Sequence, residues 1–137
     1  MKLEPYLFFN GRAEEAIVFY ETHLGATREM LLRFNESPDP APPGVVPEGF
    51  ESKVMHASLI VGGSRLLISD GCDPTPASFS GFSLALNVDG VAAAERAFNA
   101  LAEGGSVLMP LGKTFFAASF GMVTDRFGVS WSVIAEC

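Results

Sequence analysis

Hydrophobic and polar positions along the chain follow two periods, and the order in which these periods occur is repeated. Alternating apolar residues, the period of a strand, mark residues 4–9, 26–34, 53–61, 65–70, 82–88, 106–111, 117–124 and 129–135. Apolar residues three and four positions apart, the period of an amphipathic helix, follow the first strand of each half. They include Ala13, Ile17 and Tyr20 in one half and Ala94 and Phe98 in the other. The pattern therefore predicts the order βαβββ twice.

The two halves of the chain also match residue by residue at a spacing of 79 positions. The matching pairs are Leu7 with Leu86, Asn10 with Asp89, Gly11 with Gly90, Ala13 with Ala92, Phe19 with Phe98 and Gly25 with Gly104. We expect Asn10 and Asp89 to cap the two helices and glycine to end them. Such self-similarity is typical of one supersecondary unit used twice. It predicts a single domain, residues 1–137, made of two βαβββ modules at about 1–71 and 82–137 and a short linker.

The longest segment with neither period is 35–52, in which five of the 18 residues are proline. Because proline interrupts helices and central strands, the segment is predicted to be a long loop. Its apolar residues Val45, Val46 and Phe50 need a surface to cover. We expect the loop to act as a lid or to pack across a dimer, with Phe50 directed toward a cavity mouth. A disordered insertion is the alternative.

Each predicted sheet has one face covered by its helix and a second face left uncovered. Small polar residues alternate with bulky apolar ones along the strands, which places them on that second face. Their convergence is typical of a concave cavity that binds a small molecule, although plain solvent exposure would give the same pattern. The predicted ligand-binding residues are His56, Ser58, Ser69, Ser83, Asn87, Ser132 and Phe50.

The composition bears on partners and location. Hydrophobic residues make up 48% of the chain, with 12 Phe, and charged residues only 18%, which favours a homodimer that covers some of the apolar surface. The net charge of −7 disfavours nucleic acid, and no apolar run is long enough to cross a membrane. Cys72 and Cys137 show no metal or redox spacing, and we expect two free thiols in the cytoplasm.

Several motifs are similar to those of a known family. Residues 6–11 (Tyr-Leu-Phe-Phe-Asn-Gly), 54–57 (Val-Met-His-Ala), 109–111 (Met-Pro-Leu) and 120–129 (Phe-Gly-Met-Val-Thr-Asp-Arg-Phe-Gly-Val) resemble the PhnB-like branch of the vicinal oxygen chelate superfamily. That superfamily includes glyoxalases, extradiol dioxygenases and bleomycin-resistance proteins. The resemblance covers nearly the whole chain. It implies an α+β, glyoxalase/bleomycin-resistance-like fold of two βαβββ modules with cupped mixed sheets, a cavity in each sheet, and a homodimer.

The same resemblance bears on metals and cofactors. Metal-dependent members carry four ligands, typically His and Glu, and the resemblance places Pro5, Ser69, Ser83 and Ser132 at those positions. Since a proline side chain cannot ligate and neutral hydroxyls are poor transition-metal ligands, no metal or cofactor is predicted. A divalent metal held by His56, Asp70 and Glu4 is the alternative. Members of this branch are often labelled methyltransferases, but no Gly-rich βαβ segment suited to S-adenosylmethionine is present.

Three functions follow from these observations. The leading interpretation is a binding protein for an unidentified small organic ligand that lacks the usual metal quartet. The second is a lyase- or oxidoreductase-like enzyme with a non-standard site around His56, Ser69 and Asp70. The third is a dimeric interaction module whose cavity is vestigial.

Overall fold

The computed structural model describes all 137 residues and confirms the predicted α+β class. Its chain forms two compact units, Met1–Ala77 and Ser78–Cys137. Each unit consists of a four-stranded mixed sheet and one helix. Neither helix is long and apolar enough to span a membrane.

The first unit contains β1 (Tyr6–Phe8), α1 (Ala13–Leu24), β2 (Thr27–Arg33), β3 (Val54–Val61) and β4 (Ser64–Ser69). The strand order is β1-β4-β3-β2, with β1 parallel to β4 and the other neighbours antiparallel. Val61 pairs with Ser64 across Gly62 and Gly63, which confirms the predicted hairpin. Helix α1 ends at Gly25 in the left-handed conformation, as predicted.

The core of the first unit lies between α1 and one face of its sheet. The buried side chains on that face of the sheet are Leu7, Ala57, Leu59, Leu66 and Ile68, and those from the helix are Ala13, Ala16, Ile17 and Tyr20. The alternating apolar residues of the strands thus form one face of the sheet, and the apolar side of α1 packs on it, as predicted. The opposite face of the sheet is not covered by α1.

The second unit contains β5 (Leu84–Val88), α2 (Val91–Ala102), β6 (Ser106–Gly112), β7 (Ser119–Thr124) and β8 (Ser130–Ala135). The strand order is β5-β8-β7-β6, the same arrangement as in the first unit. The Phe98 ring of α2 packs directly on Gly121 of β7. A side chain at position 121 would not fit there, because its Cβ atom would lie only 2.9 Å from the ring. Trp131 is buried in this core and donates its ring N–H to Asp125 at 3.0 Å.

The predicted helix caps are wrong in both units. The residue before α1 is Arg12 and the residue before α2 is Gly90, and neither position has a side-chain cap. Asn10 has a positive φ of 51° and uses its amide to bond the Thr75 carbonyl at 2.9 Å. The shared Asn/Asp-Gly pattern therefore marks the turn before each helix, where positive φ values occur, and not the cap.

The first turn of α1 is instead held by Asp70, a distant residue directly after β4. One carboxylate oxygen accepts the backbone N–H groups of Gly11 at 2.7 Å and Ala13 at 2.8 Å. The other oxygen accepts the N–H of Val54, the first residue of β3, at 2.9 Å. Asp70 is fully buried, so these bonds join the turn, the helix and two strands in a place that bulk solvent does not reach.

The segment 37–53 contains neither helix nor strand, which confirms the predicted long loop, and a short 3-10 turn, Phe34–Glu36, precedes it. The prediction for Phe50 is corrected. The Phe50 ring is buried and packs against the backbone of Gly11. A Cβ atom built on Gly11 would lie 3.6 Å from the ring, which is van der Waals contact. Phe50 therefore anchors the loop in the core of the first unit and does not face a cavity mouth.

Replacing Asp70 with Asn is expected to lower the free energy of unfolding by about 3 kcal/mol, since a charged acceptor is lost and an amide N–H₂ must face a backbone N–H. Chemical denaturation measures this change. Asp89→Asn is the matched control, because Asp89 is exposed and caps nothing. An equal loss in the two variants would contradict the role given to Asp70.

Candidate functional site

The uncovered face of the first sheet collects side chains from β1, β3 and β4. Leu67 pairs with Tyr6 on one side and with Ser58 on the other, so these three residues share a face. Alternation adds Phe8 on β1 and His56 on β3 to the same face. We call this set of residues around His56 the open face.

Tyr6 and His56 form a direct pair on the open face. The Tyr6 hydroxyl lies 2.8 Å from Nδ1 of His56, and the two rings meet edge to face at 5.4 Å. The Phe8 ring stacks on Tyr6 at a centroid distance of 4.8 Å. Tyr6 and Phe8 are 41% and 47% exposed, so an aromatic surface lies beside the imidazole.

The second nitrogen of His56, Nε2, is free for a ligand. The hydrogen bond of His56 is made by Nδ1, and every buried side-chain nitrogen and oxygen has a partner. Nε2 is therefore reachable from solvent. Burial raises the pKa of the Tyr6 phenol above 10, while the Ser69 hydroxyl nearby acts in the opposite direction. Tyr6 is thus a neutral phenol at ordinary pH.

His56, Ser69 and Asp70, the residues of the enzyme alternative, do not form one cluster. Ser69 does lie beside Tyr6, but its hydroxyl donates to the Met55 carbonyl at 2.7 Å and accepts the Gly71 N–H at 2.9 Å. The Asp70 carboxylate is bonded to backbone N–H groups at the start of α1. The structure therefore joins His56 to Tyr6 instead of Asp70.

Tyr6 belongs to the candidate site by its contact with His56, but the sequence analysis did not include it among the predicted ligand-binding residues. Its signal was the alternation of Tyr6 and Phe8 around the buried Leu7. In a strand of only three residues that alternation is too short to stand out from a simple apolar run.

A second polar cluster on the open face is built around Glu29. Arg65 holds its carboxylate with two bonds of 2.8 Å, and the buried Ser58 hydroxyl donates to it at 2.7 Å. Glu29 lies where the pairing of β2 with β3 shifts, between Arg28 and Met30, which turns its side chain toward Ser58. Arg65 and Ser58 together lower the pKa of Glu29 from 4.5 to about 2.

The cluster continues into a pocket of about 360 Å³ at the end of the β3–β4 hairpin. Arg65 also bonds Glu4 at 3.2 Å, and Lys2 lies 3.3 Å from the same oxygen. The lining residues are Lys2, Leu3, Glu4, Pro5, Ile60, Gly63, Ser64 and Arg65. Each carboxylate here has a cationic partner, so the pocket has no uncompensated charge.

The uncovered face of the second sheet carries neutral groups. Ser83 and Ser132 bond each other through their hydroxyls at 2.8 Å. Asn87 is exposed and lies on the same face, since Ala85 pairs with Ser132 and Asn87 with Ile134. The three predicted residues of this unit therefore share one face, as His56, Ser58 and Ser69 do in the first unit.

The residues at the metal-ligand positions of the superfamily do not fit a transition metal. Pro5 has no donor atom, Ser69 bonds the backbone, and Ser83 and Ser132 bond each other. No group of three or more His, Cys, Asp and Glu side chains lies close enough to hold a metal ion. Neutral hydroxyls bind transition metals weakly, so we derive no chemistry through a metal. The absence of a cofactor stays a prediction.

A helix N-terminus is the usual place for the phosphate or carboxylate of a nucleotide-like cofactor. At α1 the N–H groups of Gly11 and Ala13 are already bonded to Asp70. The sheets here are mixed and four-stranded, without the parallel βαβ arrangement that holds such cofactors. The residues therefore do not fit S-adenosylmethionine.

Comparisons with known proteins place the chain in one family. The family model described as 3-demethylubiquinone-9 3-methyltransferase matches residues 1–134. Protein YjdN of Escherichia coli K12 is 37% identical over 97% of this chain and 94% of its own. Protein PA1353 of Pseudomonas aeruginosa is 52% identical, covers 99% and 98% of the two chains and superposes with a TM-score of 0.85. A PhnB protein of Bacillus cereus is 28% identical over 98% and 99%, with a TM-score of 0.80.

The ion pair of Glu29 gives a pH-dependent prediction. Its pKa is about 2 in the folded protein and near 4.5 in an unfolded chain, so its contribution to stability is complete above pH 4.5 and is lost as the pH falls toward 2. The stability difference between wild type and Glu29→Gln is therefore expected to be largest near pH 6 and to shrink steadily toward pH 3. Denaturation at several pH values measures it.

Glu95→Gln is the control, since Glu95 is exposed on α2 and is not part of the sheet of the first unit. A wild-type minus Glu29→Gln difference that stays constant from pH 6 to pH 3, or that matches the control, would contradict the pairing of Glu29 with Arg65 and Ser58.

Proposed function

Because the chain belongs to the PhnB-like, 3-demethylubiquinone-9 3-methyltransferase-like family of the glyoxalase superfamily, we propose that it is a small-molecule-binding protein that lacks the usual metal quartet. The ligand is an organic molecule that lies on the open face of the first unit. The cytoplasmic location expected from the sequence is part of the same proposal.

The Tyr6–His56 pair is the observation that supports this function best. It puts a hydrogen-bonding nitrogen that solvent can reach next to two partly exposed aromatic rings. Such a combination of apolar area and a few polar groups is what binding sites for small molecules need.

The polar residues of the second unit form a separate candidate surface. Ser83 and Ser132 already satisfy each other, and Asn87 is exposed. This surface offers neutral donors and acceptors but no titratable group. We therefore propose it only as a second, independent surface, suited to neutral hydrogen-bonding groups of a ligand.

The enzyme alternative has a narrower basis than the binding function. A general base needs an accessible nitrogen, which His56 provides, but the acid of the predicted trio, Asp70, is fully buried and bonded to the backbone. Ser69 is likewise engaged with backbone groups. Binding thus requires fewer rearrangements of these residues than nucleophilic catalysis does.

Ligand binding on the open face can be tested with a library of small organic molecules, using ligand-observed NMR followed by titration of each hit. His56→Ala is expected to weaken the binding of genuine hits about tenfold, since a hydrogen bond and its aligned rings are lost. His23→Ala is the matched control, because His23 lies at the end of α1 beside Phe19. Hits whose affinity is unchanged in His56→Ala would contradict the assigned face.

A homodimer is the second part of the proposal, and the exposed apolar residues of the second unit support it. Val107, Leu108 and Met109 on the edge strand β6 are 49%, 58% and 46% exposed, and Phe115 is 98% exposed. Between Gly104 and Thr124 the only charged residue is Lys113, in a chain whose net charge is −7. Two copies therefore repel each other least at this surface.

The double variant Leu108→Ser/Phe115→Ser is expected to raise the dimer dissociation constant at least tenfold, because two exposed apolar side chains lose their contacts with the second copy. Sedimentation at micromolar concentration measures the shift toward a 14.6 kDa species. Val18→Ser, an exposed apolar residue on α1, is the control. A wild-type chain that is already monomeric would contradict the proposal.

A further inference from the structure

The orientation of the Tyr6–His56 pair determines what Nε2 of His56 offers to a ligand. In neutral histidine one ring nitrogen carries a proton and the other accepts a hydrogen bond. The Tyr6 hydroxyl is bonded to Nδ1 at 2.8 Å, and the Ser69 hydroxyl nearby is already directed to the Met55 carbonyl. Nδ1 is therefore the nitrogen within hydrogen-bond distance of the Tyr6 hydroxyl, and either group can be the donor at this distance.

We propose that Tyr6 donates its hydroxyl proton to Nδ1 of His56, so that Nε2–H points to solvent as a donor for a carbonyl oxygen of an uncharged ligand. This inference names the ligand class for the proposed binding function and rests on that function. Tyr6 acts here as a positioning residue, since it acts through His56.

The surroundings of the pair favour an uncharged ligand. The carboxylates on this face, Glu29 and Glu4, are each bonded to Arg65, and Lys2 lies beside Glu4. The cations are thus already paired, and an anion entering the site would find no free cationic partner. The net charge of −7 further disfavours anions.

The apolar body of the ligand has a surface to contact. Phe8 stacks on Tyr6 and is 47% exposed, so a flat ring can lie against it while its carbonyl oxygen accepts from Nε2–H. A ligand with only donor groups would face another donor at Nε2–H and gain no hydrogen bond there. The site therefore discriminates by acceptor oxygen as well as by shape.

The first test needs no ligand. Two-bond ¹H–¹⁵N NMR spectra of the imidazole rings, recorded at a pH where His56 is neutral, report which nitrogen carries the proton. We expect Nε2–H, with Nδ1 showing the shift of a nitrogen that accepts a hydrogen bond, and Tyr6→Phe should move Nδ1 to the value of a free nitrogen. Tyr20→Phe, the only other tyrosine, should leave the His56 signals in place. A wild-type ring protonated at Nδ1 would overturn the proposal.

The second test uses three probes of similar size, each up to 20 mM. Acetophenone carries an uncharged carbonyl, benzoate an anionic acceptor, and benzylamine a cationic donor. We expect acetophenone to shift the Nε2–H signal of His56 and to bind about fivefold more weakly to Tyr6→Phe, since the hydrogen bond that orients the His56 ring is lost. Tighter binding of benzoate or benzylamine, or no shift of His56 with acetophenone, would overturn the ligand class.

The library screen and the NMR spectra of the imidazole ring together separate this inference from the proposed function. A library that yields ligands whose affinity depends on His56, together with Nδ1–H in the spectra, would leave the binding function in place and overturn the donor role. A His56 ring protonated at Nε2, with no library compound dependent on His56, would overturn the binding function itself and with it the ligand class.

Discussion

The carboxylate of Asp70 is the interaction on which the arrangement of the first unit depends. It brings together the turn at Gly11, the start of α1 and the start of β3, three places far apart in sequence, through three short hydrogen bonds. A fully buried carboxylate is stable only when it is bonded in this way, so the position of each partner is tightly constrained. Because α1 is fixed on one face of the sheet, the other face remains available for the Tyr6–His56 pair.

The site combines a rigid support with an exposed group. β3 holds His56 and Ser58 on one face, and its buried neighbours Ala57 and Leu59 hold the strand in the core. Ser58 and Arg65 fix Glu29, while Tyr6 fixes His56. Each polar group on this face except the accessible nitrogen thus has a partner within the protein. An accessible nitrogen on an imidazole that contacts the exposed Tyr6 ring is the feature that points to a ligand.

The sequence predicted the fold well because strand and helix periods and glycine turns are local properties. The hairpin at Gly62-Gly63, the helix end at Gly25 and the order βαβββ all follow from such short-range patterns. The site was predicted only in part. The alternation of side chains along β3 assigned His56 and Ser58 to the uncovered face of the sheet, but it did not show that Tyr6 and Glu29 are their partners. The cap of α1 was wrong because a residue distant in sequence, Asp70, supplies the acceptor, and at α2 no side chain caps the helix. Phe50 was misplaced for the same reason, since the glycine that it packs on lies 39 positions away.

The central claim is that a small organic ligand binds at the open face, in contact with Nε2 of His56. The measurement that tests it most directly is a crystal structure of the protein with a bound ligand that was purified with it or selected by affinity. The account predicts an acceptor oxygen of the ligand within hydrogen-bond distance of Nε2 and a ring or apolar group against Phe8. A ligand bound with high occupancy elsewhere, with Tyr6 and His56 untouched and the open face covered only by solvent, would contradict it.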